Sequence, residues 1–379
     1  MSENQKTTVA VIYNHYGDDV YEKIREVDPE SLDFKPEYNL KVATIVEEYE
    51  AIGNALEEQG YEIKLLNIAE DIESLIELLR DDPPDVAFNL IEFYRDDPEL
   101  EYMVTGLFAL YGVPYTGAPP FSLALCLRKG TTKQLLVSND VPTPRYKLLS
   151  EPKMPRRHGL HYPLIVKPAR EDASSGVDQN SVVNNLKELK AKLNKVFDEH
   201  YPPILVEEFI EGRELHVSVL GNDPPQVLPI IEFDFSELPS EHPAVISYDA
   251  KWNPLVESFH RIHSVCPANL TKEVEEKVKE VTLAAYKITG CRDYARLDIR
   301  LTDDNQVFVL EVNPNPDLTE GVSFMESAEW IDLSFGETLA KIVEFALSRP
   351  LPSYPPAKPK EENAEKTELS EQSPKDIVV

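Results

Sequence analysis

Short apolar runs and amphipathic stretches alternate along the chain. The run Val9-Ala-Val-Ile-Tyr13 is continuously apolar and predicts a strand over 9–13. A polar stretch over 15–36 reads as an inserted loop. Apolar residues then recur at helical spacing over 40–59, and Gly60 stops that helix. The pattern returns to strand over 61–66 and to helix over 72–79. After a Pro-Pro turn it gives a strand over 85–89 and then a helix over 99–111. Strands alternating with helices imply a parallel α/β unit, which we place at residues 1–125.

The middle of the chain changes character. A helix is expected over 131–139, a strand over 163–168, a helix over 185–199 and a strand over 204–209. Together they describe a small α+β lobe at 126–212. A second lobe, 213–350, opens with a strand over 214–220 and holds a helix over 271–289. In that helix Val274, Val278, Val281, Ala285 and Ile288 form an apolar stripe, and Gly290 ends it. Residues 351–379 are rich in Pro, Lys, Glu and Ser and read as a disordered tail. No internal repeat is visible.

The most informative pattern lies near the end of the second lobe. Tyr294-Ala-Arg296-Leu-Asp298-Ile-Arg300-Leu301 and Val307-Phe-Val-Leu-Glu311-Val-Asn313 flank a short Asp-Asp-Asn turn, which is a β-hairpin signature. Strand side chains repeat every two residues, so Arg296, Asp298 and Arg300 share one face. By the same count Glu311 and Asn313 share a face, with Phe308, Leu310 and Val312 on the other. A hairpin of this kind is often just a solvated charged face. Here the acids end strands whose other face is strongly apolar, and Asp298, Glu311 and Asn313 supply hard oxygen donors suited to Mg²⁺.

Composition narrows the partners. The chain has 379 residues, 42% hydrophobic and 28% charged, enough for two or three domains. Its net charge of −30 argues against nucleic acid or an anionic membrane as partner. A phosphate-binding pocket would therefore need local Lys and Arg. Cys126, Cys266 and Cys291 show no metal spacing and fit a reducing cytoplasm. His158, His161, His260 and His263 show no ligand spacing and read as loop or surface residues. No signal peptide or transmembrane run is expected.

Two further segments carry candidate chemistry. Lys167 ends a strand and is followed by a small polar loop containing Ser174, Ser175 and Gly176. A Lys there offers a point charge to phosphate oxygens, and small residues let backbone N–H groups approach. The alternative is a structural Lys–carboxylate pair. The strand around Glu207, Glu208, Phe209 and Ile210, with Glu214 beyond Gly212, could seat an adenine and a ribose, or be an acid-rich surface edge. Lys129 and Lys133 begin a helix, and an exposed basic face suits Lys133 better.

Taken together, Arg296-Leu-Asp298 and Leu310-Glu311-Val-Asn313-Pro314 resemble the metal-binding end of the ATP-grasp enzymes, and among them the D-alanine–D-alanine ligases. The resemblance runs in collinear order over about residues 114–347. It implies an ATP-grasp fold, α/β and α+β, with ATP sandwiched between two lobes. It assigns Mg²⁺ (or Mn²⁺) to Asp298, Glu311 and Asn313, and makes Arg296, Lys251 and Ser174 catalytic. Lys129, Lys167, Ser175, Gly176, Glu207, Glu208, Phe209, Ile210 and Glu214 would bind the nucleotide. The implied reaction is ATP-dependent joining of a carboxylate to an amine through an acyl phosphate, and family members are commonly dimers.

The chain also departs from that family. Trp252 follows Lys251 where many ligases carry Tyr. Phe88-Asn-Leu-Ile-Glu92 replaces a His-Gly segment, and Asp317 replaces a Gly. Glu47 and Glu48 lie near an ammonium-binding acid but out of register. D-Alanine ligation and a different amide product both stay open. A non-catalytic nucleotide sensor of the same fold is the alternative, opposed by retention of Arg296, Asp298, Glu311 and Asn313 together. A carboxylase is disfavoured by the lack of any biotin-related segment.

Overall fold

Three sheets organise the chain, and each has a different reason to form. The computed structural model describes residues 6–17, 20–172, 174–239 and 242–350. The expected tail, 351–379, lies outside them. The first sheet is parallel, with β1 (Thr8–Tyr13) between β2 (Glu62–Asn67) and β3 (Val86–Asn89). Val9 to Ile12 are fully buried, as expected of a central strand covered on both faces. The helix Ile45–Glu58 covers one face, and Thr44 and Glu47 close a capping box at its start. That cap is why the helix begins after residue 44 and not at 40.

The expected loop over 15–36 is partly ordered. It holds a helix, Val20–Ile24, and a 3₁₀ turn, Pro29–Ser31. The chain beyond it reaches across to the second half of the molecule. The N–H groups of Glu37 and Tyr38 both donate to His260 Nδ1, at 3.3 and 3.1 Å. Tyr21 donates to the Trp252 carbonyl at 3.1 Å. His260 is thus a buried anchor, not the surface residue its sequence context suggested.

The second sheet is antiparallel in the order β4-β7-β5-β6, from β4 (Tyr146–Leu149), β5 (Leu164–Pro168), β6 (Val182–Val183) and β7 (Ile204–Glu208). The helix Leu186–Glu199 buries Leu189, Leu193 and Val196 against it, with Asn185 capping two N–H groups.

The third sheet runs β11-β10-β8-β12-β13 with β9 beside β8. Its strands are β8 (Arg213–Leu220), β9 (Gln226–Val227), β10 (Ile231–Asp234), β11 (His263–Val265), β12 (Tyr294–Leu301) and β13 (Val307–Asn313). The helix Lys272–Thr289 packs its Val274, Val278 and Ala285 on β8, β12 and β13. After Val278 its buried stripe shifts to Thr282, Tyr286 and Thr289, leaving Val281 and Ile288 at the margin.

The last helix, Phe335–Ser348, starts at a Ser334–Glu337 capping box. Its Leu339, Ile342, Val343 and Ala346 join Val9, Ile52, Leu56 and Phe88 in one core. The first sheet is therefore closed by residues some 250 positions downstream of it in the chain. Among the described residues no helix is long and apolar enough to cross a membrane.

Candidate active site

The hairpin β12–β13 sets the site. Asp298 lies directly opposite Glu311, and Arg296 directly opposite Asn313. Register slips between Asp298 and Ile299, where Leu310 is the extra residue of a β-bulge. The bulge inverts the alternation expected for β13. Val307, Val309 and Val312 go into the core, whereas Leu310 and Glu311 line the cleft. Phe308 and Leu310 thus do not share a buried face with Val312, because the extra residue resets the two-residue repeat.

Arg296 braces Asp298 in a fork, with Nε–Oδ1 at 2.7 Å and Nη2–Oδ2 at 3.1 Å. Burial alone would raise the Asp298 pKa. The Arg296 charge outweighs it, so the carboxyl is held below its usual range. Asn313 ends β13 with a buried Nδ2 that has no hydrogen-bond partner. Two carboxylates in register and an amide with an orphaned donor fit a divalent cation together with phosphate oxygens. The donor set is all oxygen, as Mg²⁺ requires.

Cations face these acids from the helix Lys129–Ser138 and from β5. Lys129 is buried. Its Nζ lies 2.7 Å from Asp172 Oδ1, 2.6 Å from the Glu171 carbonyl and 3.5 Å from Glu311 Oε2. Burial would lower its pKa, but Asp172 and then Glu311 outweigh that and raise it. Lys167 ends β5 and pairs with Glu207 Oε1 at 2.8 Å. Lys133 pairs with Glu207 Oε2, also at 2.8 Å, and donates to Thr143 at 2.8 Å. Lys133 is 1% exposed, so it is a buried strut and not part of a solvated helix face. Glu207 therefore holds two lysines in place, and their charges keep its carboxyl low despite burial.

The rest of the proposed nucleotide strand divides. Phe209 and Ile210 line the cleft, and Phe209 N–H donates to Pro163 as the chain leaves the sheet. Glu208 sits at the rim, but its carboxylate accepts from the His161 N–H at 2.8 Å and lies 3.5 Å from Arg145. Glu214 accepts from Arg300 Nη2 at 2.5 Å, and the Arg300 guanidinium stands 5.1 Å from the Phe209 ring centre. Gly212 lets this corner form. At φ +136° a Cβ there would sit 2.3 Å from the Leu301 carbonyl oxygen.

The loop after β5 brings Ser174 and Ser175 to the same cleft. Ser175 donates to Glu171, which also holds His200 Nδ1 at 2.8 Å. Gly176 has φ +71°, and a Cβ there would meet Pro168 at 2.7 Å, so the tight loop demands glycine. Val177 then accepts from Tyr248 N–H at 3.0 Å, which ties the loop to the short helix Tyr248–Trp252. That helix carries Lys251 into the cleft, with its Nζ 4.6 Å from the centre of the Trp252 ring. Burial, and then the Arg296 charge, push the Lys251 pKa down.

The family model described as D-ala D-ala ligase C-terminus matches residues 135–344. The chain belongs to the D-alanine–D-alanine ligase family. It is 30% identical over 303 residues to a D-alanine–D-alanine ligase of Desulforudis audaxviator, covering 79% of this chain and 92% of that protein. It is also 30% identical over 302 residues to an uncharacterized protein of Sinorhizobium fredii, covering 78% of this chain and 86% of that one. Among solved structures, the D-alanine–D-alanine ligase of Bacillus anthracis complexed with ATP superposes with a TM-score of 0.67. The identity is 23%, covering 90% of this chain and 97% of that chain. That likeness establishes the ATP-grasp fold.

In this member of the ligase family the cleft contains residues the sequence reading overlooked. His216 sits on β8 opposite Asp298, its Nδ1 2.9 Å from Ser323 Oγ and its Nε2 3.5 Å from Asp298 Oδ1. Burial, and then the Arg296 charge, keep it neutral. Counting by twos from Glu214 would have found it. Arg300 and Asp172 also line the cleft. The partner of Asp172, Lys129, is 43 residues away, so no local pattern announces that pair.

Proposed function

We propose that the protein is an ATP-dependent carboxylate–amine ligase that forms an amide bond through an acyl phosphate. The observation that carries this reading is the cross-strand pairing of Asp298 with Glu311 and of Arg296 with Asn313, at a cleft lined by Lys129, Lys167 and Lys251. A non-catalytic nucleotide sensor would not need all of these groups at once.

The residues divide the work. Lys129 and Lys167, kept charged by Asp172 and Glu207, meet phosphate oxygens, and the Ser174–Gly176 loop offers backbone N–H groups. Phe209 and Ile210 flank the base, and Glu214, oriented by Arg300, receives ribose hydroxyls. Asp298, Glu311 and Asn313 would hold Mg²⁺, which would supply positive charge to offset that of the phosphates. The substrate carboxylate attacks the γ-phosphorus, the bond to ADP breaks, and an acyl phosphate forms. The amine then adds to the acyl carbon, and the oxyanion that develops lies toward Arg296. Loss of phosphate and of the amine proton completes the amide. Lys251, on the helix tied to the serine loop, steadies the transferring phosphoryl group.

A panel of carboxylates and amines of both hands, D-alanine included, separates D-alanine ligation from a different amide product. Three unpaired cysteines fit a reducing, cytoplasmic setting. The test is ADP release from Mg-ATP with panels of carboxylate and amine pairs, run with hydroxylamine to trap the acyl phosphate as a hydroxamate. ATP binding with neither ADP nor hydroxamate across the panel would refute the ligase reading.

A further inference from the structure

Beyond the Asp298–Glu311 end, the cleft opens into two further cavities of about 80 and 130 Å³ that share Glu92, Trp252 and Asp317. The first also contains Arg296, Lys251 and Asn313, so it continues directly from the reacting centre. Both suit a small amine or amino acid.

Their charge is one-sided. Among the described residues Glu92 and Asp317 form no ion pair, and Asp317 Oδ1 accepts only the Thr319 N–H, at 2.8 Å. Among the described residues no lysine or arginine lines the outer cavity. The nearest cations belong to the reacting centre. Arg296 is forked to Asp298, and Lys251 lies over the Trp252 ring. Two neighbouring groups register the accumulated negative charge. Packing around the carboxyl, and then the Asp317 charge, push Glu92 up to about 7 against the opposing charge of Lys251. The Tyr49 hydroxyl is pushed well up, by burial and then by Glu92 and Asp317.

A second, independent feature points to a ligand. Asn14, just after β1, is 4% exposed, lines the outer cavity and among the described residues leaves its Nδ2 without a partner. A buried amide donor left unpaired is costly unless an acceptor arrives. Aromatic faces complete the wall, with Trp252, Tyr49 and Phe93 around the acids. Carboxylates beside aromatic faces favour an ammonium group through charge and cation–π attraction.

We propose that one substrate is an amino acid with a positively charged side chain, its ammonium groups held by Glu92 and Asp317 against Trp252. Asn14 supplies a donor to a carboxyl or carbonyl oxygen of the same molecule. This rests on the ligase reading above and adds the substrate class. A neutral amino acid brings one positive charge to a site built with several negative ones.

The test is calorimetric titration of the full chain, with Mg²⁺ and a non-hydrolysable ATP analogue, by both enantiomers of ornithine and of norvaline, the uncharged counterpart. Ornithine of at least one hand should bind about tenfold or more tighter than the matching norvaline. E92Q and D317N should each remove most of that ratio while thermal melting stays unchanged. The proposal is overturned if norvaline binds as well as ornithine, if neither binds at millimolar concentration, or if the ratio survives in the double variant. ADP release from a neutral pair without any ornithine preference would leave the ligase reading standing and sink this one.

Discussion

The two ends of the cleft are built on opposite electrostatic plans. At the metal-binding end acids have cations, with Asp298 on Arg296, Asp172 on Lys129, and Glu207 between Lys133 and Lys167. At the far end Glu92 and Asp317 face a cavity with no ion pair of their own. The first arrangement is preorganised, its charges fixed before any ligand arrives. The second leaves negative charge unneutralised and is complete only when a cation enters. On the proposal above, the balanced half would carry the machinery common to many substrates and the unbalanced half the choice of substrate.

The largest effect should come from the balanced half. Glu311→Gln removes a proposed metal ligand whose one ion pair, to Lys129, is long at 3.5 Å. ADP formation should fall by about 10³-fold with melting little changed. Activity within tenfold of the parent would remove Glu311 from the metal site.

Glu207→Gln tests how far balance matters to folding. It leaves the buried Lys133 and Lys167 without their shared counter-charge. A loss of about 3–5 kcal/mol is expected in urea unfolding. A loss under about 1 kcal/mol would mean that water reaches the lysines and the pairs resemble exposed ones.

Asp317→Gly probes the unbalanced half. It should relax amine selectivity, shifting the cationic-to-neutral ratio of kcat/KM by about tenfold. An unchanged amine profile would show that the charge of the far cavity has no say in specificity.

The smallest effect concerns a pair remote from the cleft. Burial would raise the Asp178 pKa, but hydrogen bonds from Lys192 and Lys195 outweigh it and lower the pKa from 3.8 to about 2. A depressed carboxyl stabilises the fold above its unfolded pKa, and that contribution disappears as pH falls from about 4 through 2. The side chain is 34% exposed, so after screening Asp178→Asn should cost about 1 kcal/mol at neutral pH and almost nothing once the pH is about one unit below 2. A cost that does not change with pH would point to lost packing.

Much of this architecture could be read residue by residue. The hairpin showed because both strands are long and join through a polar turn, and Asp298 and Glu311 do meet across it. The helix Lys272–Thr289 showed because Thr271 caps its start and a strong apolar stripe follows. Lys133 was misread because its burial depends on Glu207 and Thr143, from a separate strand and loop. The Leu310 bulge was invisible because one extra residue leaves composition and mean hydropathy unchanged while turning the next side chains over.

Local sequence determined where strands and helices lie, which residues could offer oxygen ligands or cationic charge, and the family to which the chain belongs. Periodicity and capping act within a few residues, so they are legible in one dimension. Tertiary structure decided which charges find partners. It paired Lys129 with Asp172, and placed Glu92, Asp317 and Asn14, from three distant segments, around one cavity without a lysine or arginine in its wall. Coulomb energy and desolvation depend on distance and enclosure in space, and separation along the chain fixes neither.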